Sequence, residues 1–153
     1  MNSVYRHIIL LGLVLSLLSL AVQHSWATEG WEGCPELARF FKETDPEHYT
    51  WVDLYRLFKD SLPDCDDGVY AEGYSDFIAR SLANHWDRLE ELATLASKDE
   101  EFKTFVLKHI GDATARSYVP LVLSNAQKRC PATCTQLCSE IAKAVLSALD
   151  FNK

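Results

Sequence analysis

The sequence predicts an all-α fold, a compact irregular bundle of about six to seven short helices. Two observations carry this. No run alternates apolar and polar residues for long enough to make a strand, whereas apolar residues recur at three- and four-residue spacing through most of the chain. Helix-start signals recur as well: Pro35 and Pro46 stand at first helical positions, and Ser97 and Thr133 each open a capping-box pattern.

The stretch Met1–Ala27 comes before that bundle. Arg6 is its only formal side-chain charge, Ile8 to Val22 is apolar except for Gly12, Ser16 and Ser19, and Ser25-Trp26-Ala27 puts small residues where a signal peptidase reads. This is the order of a cleavable export signal, with the mature chain beginning at Thr28. The run falls short of the roughly 20 apolar residues that span a membrane; an uncleaved anchor is the alternative. The expected organisation is a signal peptide, residues 1–27, and one helical domain, residues 28–153, in the periplasm or outside the cell.

After a polar lead, Cys34-Pro35-Glu36 opens a first helix that ends near Glu43. Asp45-Pro46-Glu47 starts a second, with Asp45 as cap, Trp51, Leu54, Tyr55, Phe58 and Leu62 at helical spacing, and Pro63 as stop. The third helix carries Tyr70, Tyr74, Phe77, Ile78, Ser81 and Leu82 on its inward stripe. Gly73 inside it costs about 1 kcal/mol relative to Ala, which a close helix crossing would explain. Asn84-His85 marks a kink before a fourth segment, Trp86 to Ala96. A capping box at Ser97 opens a fifth helix, with Phe102, Phe105, Val106 and Ile110 inward and Gly111 as stop. Pro120 starts a sixth, ending near Arg129. A second capping box, at Thr133, opens the last, with Leu137, Ile141, Val145 and Leu149 inward. At one constant offset, Leu92, Val106 and Ile110 fall on Leu123, Leu137 and Ile141, a faint repeat that fits stacked helical hairpins.

Charge narrows the function. Without the signal, 14 basic residues face 22 acidic ones, a balance of −8. Such a surface repels nucleic-acid phosphates and anionic headgroups, so neither nucleic acid nor, after cleavage, a membrane is an expected partner. A basic protein partner is compatible with it, and so is plain solubility.

All five cysteines lie beyond the signal, where export makes disulfides their default fate. Cys34 begins the first helix and Cys65 follows the second, so an antiparallel hairpin brings them together. Cys130, Cys134 and Cys138 stand four apart. On one continuous helix they would share a face, as a soft metal such as Cu(I) requires. Pro131 and the Thr133 cap instead place Cys130 ahead of the helix, free to fold back and pair locally with Cys138 or with Cys134. Taking Cys138 as its partner leaves Cys134 as the odd thiol. No His or Met neighbours the cluster, so no metal or other cofactor is expected.

Asp64, Asp66, Asp67 and Gly68 look like a calcium loop, but the glycine comes one place early and Ser75 stands where a bidentate Glu is required. Capping of the next helix explains these acids. The same acidic turn is the candidate partner contact, since the chain's largest local negative charge is there. Trp31 and Tyr118 lie outside regular helices and are candidate anchors for a partner, the alternative being that both pack onto the bundle. His48, His85 and His109 form no metal pair and no nucleophile motif, and no phosphate loop or serine elbow is present. The expectation is a protein that is not an enzyme.

The secretory start, small helical body, paired cysteines and acidic balance, with Asp53-Leu54-Tyr55, Cys65 and Glu72-Gly73-Tyr74, resemble the periplasmic immunity proteins that neutralise peptidoglycan amidases delivered by type VI secretion. The likeness covers about 30 residues, those around Asp53–Tyr74. That family places its cysteines differently, which leaves the cluster from Cys130 to Cys138 unaccounted for, and no binding residue carries over. The resemblance implies an exported, non-catalytic, protein-binding domain that inhibits a cell-wall hydrolase. The alternative is a periplasmic thiol- or copper-handling protein built on the C-terminal cysteines.

Overall fold

In the computed structural model the described residues are 34, 37, 39–41, 48–60, 65–111 and 116–150. They belong to a single unit, Cys34–Lys153. Six α-helices run through them: α1 (Trp51–Asp60), α2 (Gly68–Asn84), α3 (Leu89–Lys98), α4 (Glu100–His109), α5 (Val119–Lys128) and α6 (Thr135–Asp150). Short 3-10 turns at Trp86–Arg88 and Ala132–Cys134 lead into α3 and α6. Residues 37 and 39–41 are also helical, and no strand occurs among the described residues. The fold is an all-α bundle. The longest helix, α2, packs on both α4 and α5; α3 pairs with α4 and with α1, and α5 pairs with α6.

Local chemistry sets each helix start. For α1 it is Thr50: its backbone amide donates to Asp53 Oδ2 at 3.1 Å, while the Asp53 amide donates back to Thr50 Oγ1 at 3.3 Å. This reciprocal cap, with Asp in the place of Glu, starts the helix at Trp51 and not at the Asp45-Pro46 signal, which lies outside the described residues. For α2, Asp67 accepts from the Gly68 amide at 2.7 Å, and Gly68 takes a φ of 53°, where a side chain would be strained. The whole anticipated stripe of α2, from Tyr70 to Leu82, is buried. Gly73 makes room for an aromatic ring and not for a helix backbone: a Cβ there would stand 2.8 Å from Phe41 Cε2.

Three expected signals work differently. Ser97 is not the cap of α4; it lies inside α3 and donates to the Thr94 carbonyl, while Asp99, from the same tetrapeptide, accepts from the Phe102 amide at 3.1 Å. Gly111 does not end α4 through a left-handed turn, since Gly68 is the one described glycine with positive φ. A Cβ at Gly111 would collide with the Cβ of Ala148 on α6, so close packing is its reason. Thr133 forms no box with Gln136; its hydroxyl donates to Glu90 Oε1 at 2.7 Å, and Gln136 donates to Glu140. Leu149, expected inward, is 46% exposed, while Ala148 of the same turn faces Gly111.

The core is aromatic on the N-terminal side. Tyr74 of α2 meets Phe41 and Phe105 edge-on at 5.5 and 4.9 Å, and Phe102 receives Tyr55 at 5.0 Å. Such pairs add about 0.5–1.5 kcal/mol each beyond their buried area. On the other side Ile110, Val122, Ile141 and Val145 close the α4–α5–α6 junction. Two disulfides brace these halves. Cys34–Cys65 ties the N-terminal helical residues to the turn before α2, with Cα atoms 6.0 Å apart; Cys130–Cys138 folds the α5–α6 link onto α6, at 6.1 Å.

The bonds differ in the chain they enclose, 31 residues against 8, worth roughly 3.7 and 2.5 kcal/mol in the chain-entropy model. Replacing Cys34 and Cys65 together by Ala is therefore expected to lower the melting temperature more than replacing Cys130 and Cys138, as calorimetry of the two double variants would show; equal losses would contradict it.

Asp99 supplies a second test. The Phe102 amide first, then the Lys59 ammonium at 3.0 Å and the Tyr55 hydroxyl at 3.1 Å, hold its carboxyl below the usual range, and Asp99 in turn raises both Lys59 and Tyr55. A lowered carboxyl stabilises the fold above its unfolded pKa and loses that contribution as pH falls through the folded value. The raised Lys59 and Tyr55 act in the opposite sense, stabilising below their unfolded values and failing as pH rises through the folded ones. Asp99→Asn should lower the melting temperature at neutral pH and converge with the wild type in acid. Parallel melting curves across the acid range would contradict this.

Candidate functional site: the turn before α2

The turn Cys65–Val69 collects most of the chemistry expected from sequence. Cys65 anchors one end through its disulfide. Asp66 turns back toward α4, where Lys108 Nζ lies 2.6 Å from Oδ2 and His109 Nε2 lies 2.8 Å from Oδ1. Asp67 caps α2 and is exposed, as are Gly68 and Val69. The turn is thus fixed on three sides and open on the fourth.

Behind Asp66 lies a grouping that periodicity and motif spacing do not reveal. The other ring nitrogen of His109, Nδ1, is 2.9 Å from Ser75 Oγ, and Ser75 Oγ is 2.8 Å from the Ala71 carbonyl. Ser, His and Asp are the residue types of an acyl-transfer triad. Burial removes that chemistry: Ser75 is 0% and His109 2% exposed, and the hydroxyl sits inside α2, so no substrate carbonyl reaches it. The grouping instead links α2, α4 and the turn through polar contacts in a dry interior, with Tyr74 and Phe105 packed on the imidazole ring. From sequence, His109 is only a histidine near a helix end. Nothing there joins it to Ser75, which lies 34 positions earlier.

The Asp66 side chain is 31% exposed and already neighbours two basic groups, Lys108 and His109. Asp67 keeps an exposed carboxylate. Asp64 and Trp31 lie outside the described residues. Tyr118 immediately precedes α5 and packs, half-buried, against the core. Of the C-terminal cysteines, Cys130 and Cys138 are bonded and Cys134 is a buried thiol. Among the described residues no group of three His, Cys, Asp or Glu is placed to hold a metal ion.

No family model, curated protein or solved structure matches this chain.

Charge reversal separates the two acids. Asp66→Lys sets a cation against Lys108 and the buried His109 and is expected to cost about 1–2 kcal/mol. Asp67→Lys leaves that cluster intact and forfeits only a cap, worth about 1 kcal/mol or less at an exposed end. Thermal melts of the two single variants would decide it. A larger loss at Asp67 would show the turn to be held by its cap.

Proposed function

We propose that this chain is an exported, non-catalytic protein-binding domain, and that its partner is a cell-wall hydrolase that it inhibits. The observation that carries this reading is the preorganised turn. A segment braced by a disulfide, by Lys108 and His109 and by its own helix, yet exposing Asp67, Gly68 and Val69, loses little conformational entropy on binding. Its exposed carboxylate, in a domain of net −8, favours fast encounter with a basic partner. Two cystine pairs, and no helix among the described residues long and apolar enough to cross a membrane, are compatible with export. The signal-like stretch Met1–Ala27 and the likeness of Asp53–Tyr74 to amidase immunity proteins support the same reading.

The test is protection. Bacteria producing a peptidoglycan amidase in their periplasm should survive when this chain is co-produced with Met1–Ala27 in place, and should lyse when that stretch is replaced by a single initiating methionine. Asp67→Lys combined with Val69→Asp should abolish protection in a protein that stays folded, its melting temperature lower by no more than the few degrees that loss of the cap costs. Lysis irrespective of this chain, across amidases of differing fold, would remove the inhibitor reading.

A further inference from the structure

The α5–α6 link holds chemistry that partner binding does not use. Cys130, half-buried, is bonded to Cys138 in the first turn of α6. Cys134 is the last residue of the 3-10 turn that runs into α6, one helical turn before Cys138, and is only 3% exposed. A buried thiol therefore stands one helical turn from a disulfide, and the Cys130-Pro131 segment bearing the far sulfur is half-buried, irregular backbone.

Cys134 also has a route for its proton. Its Sγ lies 3.7 Å from Thr133 Oγ1, and that hydroxyl is 2.7 Å from Glu90 Oε1. Thr133 has one proton and directs it to the carboxylate, so in the contact with Cys134 the thiol is the donor. Glu90 is exposed to solvent. A groove of about 470 Å³ between α3, α4 and α6 is lined by both Thr133 and Cys134.

We infer that Cys130, Cys134 and Cys138 form an internal thiol–disulfide exchange site, in which Cys134 displaces Cys138 from Cys130. Cys134 gives its proton to Thr133 as Thr133 passes its own to Glu90. The thiolate attacks Cys130 Sγ, the Cys130–Cys138 bond breaks, and its electron pair leaves on Cys138 Sγ. Cys138 then takes up a proton through solvent, in place of the one given to Glu90. One disulfide and one thiol stand on each side of the reaction, so no oxidant or reductant enters. Helix geometry favours this direction. Cys134 and Cys138 are fixed on consecutive turns, where their side chains project in parallel, whereas Cys130 lies on irregular backbone ahead of the turn. The inference does not depend on the partner proposed above.

The folded, oxidised protein is incubated in mildly alkaline buffer, quenched in acid, unfolded and labelled with a maleimide, and the label is located by peptide mass spectrometry. A sample quenched without incubation sets the starting position. The expected result is label on Cys134 at the start and on both Cys134 and Cys138 after incubation. Thr133→Val should slow the redistribution roughly 10-fold or more, and Thr133→Ser should restore it. Label confined to Cys134 at every time overturns the exchange, label on Cys130 overturns its direction, and an unchanged rate in Thr133→Val overturns the relay.

Discussion

The bundle depends on how the carboxyl end of α2 is closed. Its last turns lie in the interior, where the Leu82 and Ala83 carbonyls have no water to turn to. Asn125, 1% exposed on α5, donates both amide protons to them, at 3.1 and 3.0 Å, and its own oxygen accepts from Arg129. The Trp86 indole then donates to the Arg129 carbonyl at 2.9 Å, closing the end of α5 in turn. The Leu82 and Ala83 carbonyls and the Asn125 amide, all buried, would each cost about 1–3 kcal/mol if left unmatched. One amide thus sets the register of α5 on α2. Because α5 is paired with α6, and α6 touches α4, the whole C-terminal half inherits that register.

A second lock sits at the opposite end of α2, and it is electrostatic. Asp66, Lys108, His109 and Ser75 join the helix start to the end of α4. The α2 helix is therefore held at one end by an amide and at the other by an ion cluster, with the Tyr74 ring packed between. The two ends differ in their response to solvent. Asn125 carries no charge and is indifferent to salt, whereas the Lys108 contact is partly exposed and is screened by it.

Periodicity carries the fold because it is a local property. Tyr70 to Leu82 and Phe102 to Ile110 are spaced for one helix face each, and burial follows that spacing. The helix starts are less readable because several side chains compete for the same amides. Ser97 and Asp99 both fit a cap, and the role falls to the one whose other oxygen also meets Lys59 and Tyr55, at separations of 40 and 44 along the chain. Thr50 and Asp53 make a true reciprocal cap but depart from the usual Glu, so the standard pattern does not pick them out. Helix punctuation brings Cys34 to Cys65 and sets Cys130 ahead of α6, but leaves Cys134 and Cys138 both open to it, and the fold selects Cys138. Asn125 and the pair Ser75–His109 are not readable in the sequence, since a polar residue on an inward face looks the same whether or not a distant partner awaits it. The candidate site shows the same division: the acidic turn is visible as composition, but the assignment of Asp66 inward and Asp67 outward needs the fold.

The two cystines are sequential along the chain, not interleaved. Cys34 and Cys65 are the first two thiols, and the next, Cys130, follows only after five of the six helices. Were the chain oxidised as it emerges from its N-terminus, Cys34 and Cys65 would meet before any of the other three thiols. Only the last three thiols arrive together, in the short stretch from Cys130 to Cys138, and there the pairing is left to be settled by the folded structure.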